Sequence, residues 1–373
     1  MNYSNRYREL NSYFCLGQDV QLPETKCIIR FFSFKSNGNN YQSTQDTDHV
    51  FSDKVSENTS FVYPVFVPKG VVKSDKAILL MHGLNERNWS KYLTWAEFLC
   101  NATGKIVILF PIAYHVNRSP EAWSNPRNLQ LIYESRKIRN GVDRSLSFAN
   151  VALSERITQN PHRFYSSGRQ TVSDITQLVG QIKSGLHPLF YSGAHVDFFA
   201  YSIGAFLSQI TFMANPFGFF EDSKLFMFCG GSIFSSMFGQ SRTIMDKVAF
   251  DTLLKYYKEE FSDKNERPEF LDDIFDSFNS MISPERSELG RMDFFNKMAN
   301  RLAGVSLQKD VVIPYEGITK ALGEGNTRNY IDLVDFDFDY SHENPFPVGL
   351  KSDSVVINNS FDYVFSKAAA FLS

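Results

Sequence analysis

The sequence lacks the features that mark several broad classes of protein. It has no basic run interleaved with aromatic residues, and its formal net charge is only −3, so no strong positive field points to nucleic acid or to an anionic membrane surface. Its four cysteines are far apart and follow no metal-ligand spacing, which predicts free thiols and no metal. We find no internal repeat and no linker rich in serine and glycine, and we expect no cofactor.

Long apolar segments are also missing. No stretch is long enough to span a bilayer, and the N-terminus leads into no apolar signal core. If the sequence is complete, the reducing cytoplasm is the expected location. A chain from which a signal peptide had been removed would look the same, so this alternative stays open.

What the chain does have is the composition of a folded protein. Its 43% hydrophobic and 21% charged residues exclude a mostly disordered chain. A length of 373 residues suits one large α/β domain with an insertion. Phenylalanine is unusually frequent, with 36 copies. Most of these rings are expected in the core, because aromatic side chains offer large apolar areas for burial, and a minority could line an acyl pocket.

Short apolar runs alternate with helical patterns from residue 77 onward, which predicts a mostly parallel sheet flanked by helices. Buried strands are predicted at 77–81, 106–110, 196–200 and 225–229, with further strand signals at 305–307 and 330–338. An earlier run, 61–67, contains a proline that suits an edge strand.

Helical patterns without a strand fill the region between the last two groups of strands, at 250–261, 270–281 and 292–302. This region predicts a helical cap that interrupts the sheet. We therefore divide the chain into an N-terminal extension with the first strand (1–60), an α/β core (61–232 and 303–373) and a cap insertion (233–302).

Ser202 lies between a predicted buried strand and a predicted helix, with Ala200 two residues before it and Gly204 two residues after it. A sharp turn at this point strains the serine backbone, and small neighbours keep side chains from colliding. Such a turn lifts the serine oxygen above the sheet edge, where backbone N–H groups at the helix start can stabilise an oxyanion. An ordinary helix N-cap is the alternative role for this serine.

With alanine in place of its first glycine, this segment resembles the nucleophile elbow G-x-S-x-G of the α/β-hydrolase superfamily. The resemblance covers roughly residue 78 to the C-terminus. It implies an α/β-hydrolase fold, with the helical cap inserted between the sixth and seventh strands of the sheet. It also implies that Ser202 is the nucleophile.

The strand at 77–81 ends in His82-Gly83, which is similar to the dipeptide that begins the superfamily's oxyanion loop. On this resemblance the oxyanion donors are the backbone N–H groups of Leu84 and Ile203. His82 is then structural and not the general base.

The superfamily carries its base in a loop after the last strand and its acid after the seventh strand. His342 lies in such a loop, and Asp310 lies in a K-D-x-x-x-P segment like the one that carries the superfamily's acid. The resemblance implies that His342 is the general base and that Asp310 orients it. A histidine in a surface loop and an aspartate in a turn remain the alternatives.

Three more acids, Asp335, Asp337 and Asp339, alternate with aromatic residues just before His342. Their period of two predicts a half-exposed edge strand with the acids on one face. Asp339 is the substitute acid if Asp310 points away.

The remaining pocket candidates flank these segments. The loop after the fourth strand opens at the carboxyl edge of the sheet, where ligands bind, so His115 and Arg118 are predicted to border the pocket and Trp123 to help roof it. A solvated loop is an equal alternative for these three residues. Other pocket candidates, next to the elbow and in the oxyanion loop, are His82, Gly83, Asn85 and Tyr201.

These inferences predict a serine hydrolase that cleaves a small carboxylic ester through an acyl-enzyme, which water then resolves. Thioesters and amides are alternative substrates for the same residues. A binding or scaffold protein on this fold, or another chemistry such as that of a lyase or haloperoxidase, also stays open, because the resemblance carries no information on the substrate.

Overall fold

The computed structural model describes residues 2–38, 51–141, 143–261, 272–349 and 354–373. Nine strands of these described residues form one sheet, in the order β1-β2-β3-β5-β4-β6-β7-β8-β9. The strands are β1 (Val20–Gln21), β2 (Cys27–Lys35), β3 (Ser60–Pro68), β4 (Ser74–Met81), β5 (Ile106–Leu109), β6 (Phe190–Tyr201), β7 (Leu225–Phe228), β8 (Leu302–Leu307) and β9 (Ile331–Val334).

Thirteen α-helices are present in the described part of the chain. They are α1 (Tyr3–Tyr13), α2 (Ser56–Thr59), α3 (Ser90–Thr103), α4 (Pro126–Asn140), α5 (Val151–Gln159), α6 (Arg163–Lys183), α7 (Ile203–Ala214), α8 (Lys247–Lys255), α9 (Asp273–Ser280), α10 (Glu288–Lys297), α11 (Tyr315–Leu322), α12 (Glu324–Tyr330) and α13 (Ser354–Leu372). Within the described ranges, none of the helices combines the length and apolar character that a bilayer crossing requires.

The strands from β4 to β9 run parallel to one another, whereas β1 pairs with β2, β2 with β3 and β3 with β5 in antiparallel fashion. The sheet is therefore mostly parallel, and helices connect its strands. This is the α/β-hydrolase fold that the sequence predicts, and the helical insertion lies between β7 and β8, the sixth and seventh strands if the two-residue β1 is not counted.

The core lies on both faces of the sheet, as the unbroken apolar run in β4 predicts. Ala77, Leu79 and Met81 pack in the apolar cluster on one face, and Ile78 and Leu80 pack in the cluster on the other. The first cluster includes residues of α6 and α7, and the second includes residues of α3 and α13. Both clusters fix the carboxyl ends of the parallel strands, which meet at one edge of the sheet.

The insertion between β7 and β8 contains α8, α9 and α10. Helix α8 continues into a π-helical turn at Tyr256–Glu260, and the first two residues of the helix predicted at 270–281 lie outside the described residues. The helix predicted at 292–302 ends at Lys297, and Leu302 already begins β8.

A second helical segment packs on this insertion. Helices α4 and α5 lie between β5 and β6, in a long, less regular stretch of sequence for which no helix is predicted. Arg136 of α4 forms an ion pair with Asp246, the N-cap residue of α8, and a second one with Glu155 of α5 at 2.7 Å. The two segments are thus joined through a buried charged contact.

Two strand predictions are wrong in detail. Strand β3 lies between β2 and β5 and not at the edge, but β5 pairs only with Val65 and Phe66, so Pro64 has a strand partner on one side only. The strand predicted at 330–338 ends at Val334, and the alternating acids that follow it lie in a loop. The N-terminal extension also contains a helix, α1, that the sequence analysis does not predict.

Candidate active site

Ser202 occupies a strained turn between β6 and α7. Its backbone angles are φ 58° and ψ −126°, a region that costs a residue with a side chain about 1–3 kcal/mol. Its N–H donates to the carbonyl oxygen of Phe228 in β7 at 3.2 Å, which holds the turn against the sheet. The side chain makes no N-cap hydrogen bond to α7. The helix N-cap alternative for this serine is therefore wrong.

Close backbone contacts around the turn require small residues. A Cβ atom on Gly204 would lie 2.7 Å from the carbonyl oxygen of His82, and one on Gly230 would lie 2.5 Å from the Cβ of Ala205. Sequence reasoning singles out Gly204 but misses Gly230. Its signal is the glycine pair Gly230-Gly231, which follows β7 after a single residue.

Ser202, His342 and Asp310 form a continuous hydrogen-bonded chain. The Oγ of Ser202 lies 2.6 Å from Nε2 of His342, and Nδ1 of His342 lies 2.7 Å from Oδ2 of Asp310. All three residues are at most 5% exposed. The structure thus brings together three residues that lie in three separate loops of the sequence.

Asp310 is held in position by the turn that follows β8. Its Oδ1 accepts hydrogen bonds from the N–H groups of Val312 and Ile313, each at 2.9 Å, which leaves Oδ2 for the imidazole. The substitute acid, Asp339, is exposed. Asp335 binds the hydroxyl of Tyr340 at 2.8 Å, away from His342.

Leu84 and Ile203, whose backbone N–H groups are the predicted oxyanion donors, line a small cavity together with Ser202. Neither group has a hydrogen-bond partner within the described part of the chain. Two unpaired donors next to a serine hydroxyl can stabilise negative charge on an oxygen bound between them.

His82 is fully buried next to the predicted oxyanion loop and lines none of the cavities around Ser202, so its prediction as a pocket residue is wrong. Its Nε2 accepts a hydrogen bond from the N–H of Ile112 at 2.9 Å, and its Nδ1 donates to the carbonyl oxygen of Gly83 at 2.8 Å. Burial, with the nearby His115 as a second cause, lowers the pKa of His82 to about 3. The imidazole is therefore neutral, and both its nitrogens are occupied.

Three cavities meet at Leu84. The serine–histidine cavity, of about 250 Å³, is lined by Ser202, His342, Gly83, Asn85 and Tyr201 among others. A small apolar cavity of about 40 Å³ also reaches Ser202, with Phe234, Met245 and Phe250 of the insertion in its wall. A third cavity, of about 100 Å³, is also lined by Leu84 and Ile203, and we name it the arginine cavity after its four arginines, Arg87, Arg156, Arg163 and Arg169.

The whole chain, residues 1–373, matches the model of DUF6051, a family of unknown function. The chain belongs to this family. No curated protein matches the DUF6051 chain.

Several solved structures are similar to it at low sequence identity. A bacterial heroin esterase is 11% identical over 93% of this chain and 85% of its own, with a TM-score of 0.48. Carboxyl esterase 2 of the mycorrhizal fungus Tuber melanosporum is 12% identical over 100% and 97%, with a TM-score of 0.42. An esterase of Pyrobaculum calidifontis is 11% identical over 99% and 89%, with a TM-score of 0.41.

Tyr201 holds the loop of His342 in the DUF6051 chain. Its hydroxyl donates to the carbonyl oxygen of His342, and its ring stacks on the imidazole with centroids 5.5 Å apart. Lys91 contacts both Tyr201 and the His342 loop. Its Nζ lies 4.7 Å from the Tyr201 ring centroid and donates to the carbonyl oxygen of Glu343 at 2.9 Å. Sequence reasoning includes Tyr201 as a pocket residue but misses Lys91, which has no motif to mark it.

Of the residues predicted after the fourth strand of the hydrolase sheet, His115 and Trp123 line the arginine cavity. Arg118 does not border any of the three cavities. It is fully buried and pairs with Asp174 at 2.7 Å, and it also binds the side chain of Asn58. The prediction for Arg118 is wrong, because its guanidinium is used inside the core to neutralise a buried carboxylate.

Within the described ranges, no cluster of three histidine, cysteine or carboxylate side chains is arranged to hold a metal ion. The four cysteines are unpaired thiols. The arrangement consists of a serine hydroxyl, an imidazole and a carboxylate in one buried hydrogen-bonded chain.

Proposed function

We propose that this chain is a serine hydrolase that cleaves carboxylic esters through an acyl-enzyme on Ser202. The observation that carries the proposal is the hydrogen-bonded chain from Ser202 Oγ through His342 to Asp310, at 2.6 and 2.7 Å. Side chains within this reach can transfer a proton while the serine attacks. The strained backbone of Ser202 adds support, because strain of this kind is retained where function needs it.

In the proposed first step, Oγ of Ser202 attacks the ester carbonyl carbon as Nε2 of His342 takes the hydroxyl proton. The backbone N–H groups of Leu84 and Ile203 stabilise the negative charge on the carbonyl oxygen. Asp310 keeps Nδ1 of the imidazole protonated and stabilises its positive charge. The tetrahedral intermediate then collapses, and the leaving alcohol receives the proton from His342.

In the second half of the reaction, His342 removes a proton from water, which attacks the acyl-enzyme. Collapse of the second tetrahedral intermediate releases the acid and returns the proton to Ser202. Thioesters and amides would follow the same steps with a different leaving group. A panel of matched esters, thioesters and amides therefore distinguishes these substrate classes.

We also propose that residues 233–302 act as a cap over this site, and that α4 and α5 belong to the same cap. Asn85 of the oxyanion loop supports this role, because its side-chain amide donates to the carbonyl oxygens of Ala149 and Thr243, at 2.8 and 2.6 Å. These acceptors belong to the two helical segments. Thr243 in turn donates to Glu343, the residue after His342, at 2.9 Å.

A fluorophosphonate probe tests the proposed function, because it reacts covalently with an activated serine. We expect labelling of the wild-type protein at Ser202, and loss of labelling in Ser202→Ala and in His342→Ala. Ser166→Ala is the matched control, since Ser166 also contacts a histidine, His162, at 2.9 Å. It should label like the wild type.

Absence of labelling in folded wild-type protein would contradict the proposal and favour a binding role on this fold. Circular dichroism and thermal unfolding of each variant establish that the protein is folded. Equal labelling of wild type and Ser202→Ala would place the reactive serine elsewhere.

A further inference from the structure

The arginine cavity carries an excess of positive charge that its own carboxylates do not balance. Four arginines line it, namely Arg87, Arg156, Arg163 and Arg169, and Glu86 is the one carboxylate among its lining residues in the described chain. This excess stands out because the whole chain has a net charge of −3.

The ion pairs around the cavity account for only part of this charge. Glu86 pairs with Lys91 at 2.6 Å, outside the cavity wall. Arg169 pairs with Asp272 at 2.5 Å. Two further arginines, Arg156 and Arg163, share the single carboxylate of Asp53, at 2.9 and 3.0 Å.

The crowding of these cations has a consequence for Arg156. Burial, partly offset by the charge of Asp53 and reinforced by that of Arg163, lowers its pKa to about 10. One carboxylate is thus shared between two buried guanidinium groups.

Among the four arginines of this cavity, Arg87 is the one that forms no ion pair with a carboxylate of the described residues. Its Nη2 donates to the carbonyl oxygens of Phe148 and Ala149, at 3.0 and 2.6 Å. Its Nε and Nη1 have no partner in the part of the chain that the structure describes. Burial lowers the pKa of Arg87, with no carboxylate acting in the opposite direction. A half-buried guanidinium of this kind is stabilised when an anion binds its free nitrogens.

The position of the cavity indicates which part of an ester would enter it. His342 lines the serine–histidine cavity but not the arginine cavity, whereas Arg87 lies at the junction and lines both. Because His342 must deliver a proton to the leaving alcohol, the alcohol belongs on the side of the serine–histidine cavity. The acyl chain then extends past Leu84 and Ile203 into the arginine cavity, whose apolar residues include Ile112, Leu153 and Ile157.

We propose that the acyl part of the substrate has an apolar spacer that ends in a second, ionised acid group, which Arg87 binds. The substrate class is then a hemiester of a dicarboxylic acid. This inference rests on the proposed hydrolase function and adds a specificity-determining residue to it. Arg87 acts on substrate selection and takes no part in proton transfer.

The test compares two p-nitrophenyl esters of the same shape and different charge. One is mono-p-nitrophenyl adipate, and the other is its neutral terminal amide; rates are corrected for spontaneous hydrolysis. We expect the wild type to have the higher kcat/KM for the anionic ester. Arg87→Gln should lower the anionic-to-neutral ratio of kcat/KM about tenfold or more, since a hydrogen bond to a charged group contributes at least that much.

The matched control is Arg328→Gln, which removes the same charge from an exposed position on α12. It should leave the ratio at the wild-type value. A wild-type ratio of one, or an unchanged ratio in folded Arg87→Gln, would overturn the inference.

A second measurement needs no variant. Free adipate should slow fluorophosphonate labelling of wild-type Ser202 more strongly than adipamide does, and equal protection by the two compounds would overturn the inference. Labelling also separates the two proposals. If Ser202 does not label, the hydrolase function itself fails; if it labels while the wild type turns over neither ester, only the dicarboxylate specificity fails.

Discussion

Replacement of Gly204 by alanine is the most direct perturbation of the turn that presents Ser202. The added Cβ would lie 2.7 Å from the carbonyl oxygen of His82 and 2.8 Å from that of Met81. Both are backbone atoms at the end of a central strand and cannot rotate away. An ordinary contact begins at 3.4 Å, so the start of α7 must move by about 0.7 Å (3.4 − 2.7) relative to β4.

The size of the effect follows from two opposing contributions. Overpacking of this kind costs about 1–3 kcal/mol, and the better helix propensity of alanine returns at most about 1 kcal/mol. We expect a net loss of about 1–2 kcal/mol in the free energy of unfolding. The movement also displaces the N–H of Ile203 and the hydroxyl of Ser202. Because a displacement of about 1 Å can cost about 100-fold in rate, labelling of Ser202 should slow about tenfold or more.

Urea denaturation and the rate of fluorophosphonate labelling measure these two effects. Gly290→Ala is the matched control, because it is also a helical glycine but has no atom within 4 Å of the added Cβ. It should gain up to about 1 kcal/mol in stability and label at the wild-type rate. If Gly204→Ala equals the wild type in both measurements, the close approach of α7 to β4 is not what fixes the serine, and the reasoning is refuted.

Three further predictions concern buried charge and backbone strain. Burial, with His115 as a second cause, holds the pKa of His82 at about 3, below its value of about 6.5 in an unfolded chain. The stability that neutral His82 provides is therefore present above pH 6.5 and is lost as the pH falls. Between pH 7 and pH 5 this loss is about 2 kcal/mol in the free energy of unfolding. In urea unfolding, His82→Gln should therefore lose about 2 kcal/mol less than the wild type over this pH range. Arg118→Met leaves the carboxylate of Asp174 buried and uncompensated, and it should lower the free energy of unfolding by about 3–5 kcal/mol; addition of Asp174→Asn in the same chain should restore part of this loss, and no restoration would argue against the pair. Ser202→Gly relieves the positive φ, so it should be more stable to urea than Ser202→Ala by about 1–3 kcal/mol, and equal stability of the two variants would mean that the turn is not strained.

The sequence predicts the sheet well because its strands are buried on both faces. In β4 every residue from Ala77 to Met81 is apolar, and successive residues enter the two clusters in turn. Parallel strands bring their carboxyl ends to the same edge. The parallel arrangement therefore indicates that the loops after β4, β6 and β8 lie at the same edge of the sheet, although Asp310 lies 108 residues after Ser202 in the chain.

Helices α4 and α5 could not be predicted because their buried positions carry charge. Arg136 is fully buried in α4, where it binds Asp246 from the insertion. Arg156 of α5 is buried against Asp53, from a segment about a hundred residues earlier in the chain. A pattern that relies on apolar residues treats both arginines as surface positions. Only the long-range partners make their burial possible.

In the loop after β9, buried and exposed residues alternate as they do in a strand, although no strand forms there. Phe336 is buried while Asp335 and Asp337 are exposed, so the predicted alternation of burial is present. The strand is not, because the last pair between β8 and β9 joins Leu307 to Val334. Beyond Leu307 the chain turns toward Asp310, so β8 offers no further strand partner to the residues after Val334. Alternation requires an extended chain with one face against the core, whereas a strand also requires a neighbour.

Backbone strain at Ser202 and the burial of two polar side chains, His342 and Asp310, each lower the stability of the fold. The serine has a strained backbone, and His342 and Asp310 are each 4% exposed although both are polar. Apolar residues of similar size in place of such a buried polar set are often neutral or stabilising, and glycine would relieve the turn. Local rules that favour stability are thus violated at three positions, and the three side chains are in contact with one another. Violations that converge on a single hydrogen-bonded chain are expected where function, and not folding, selects the residues.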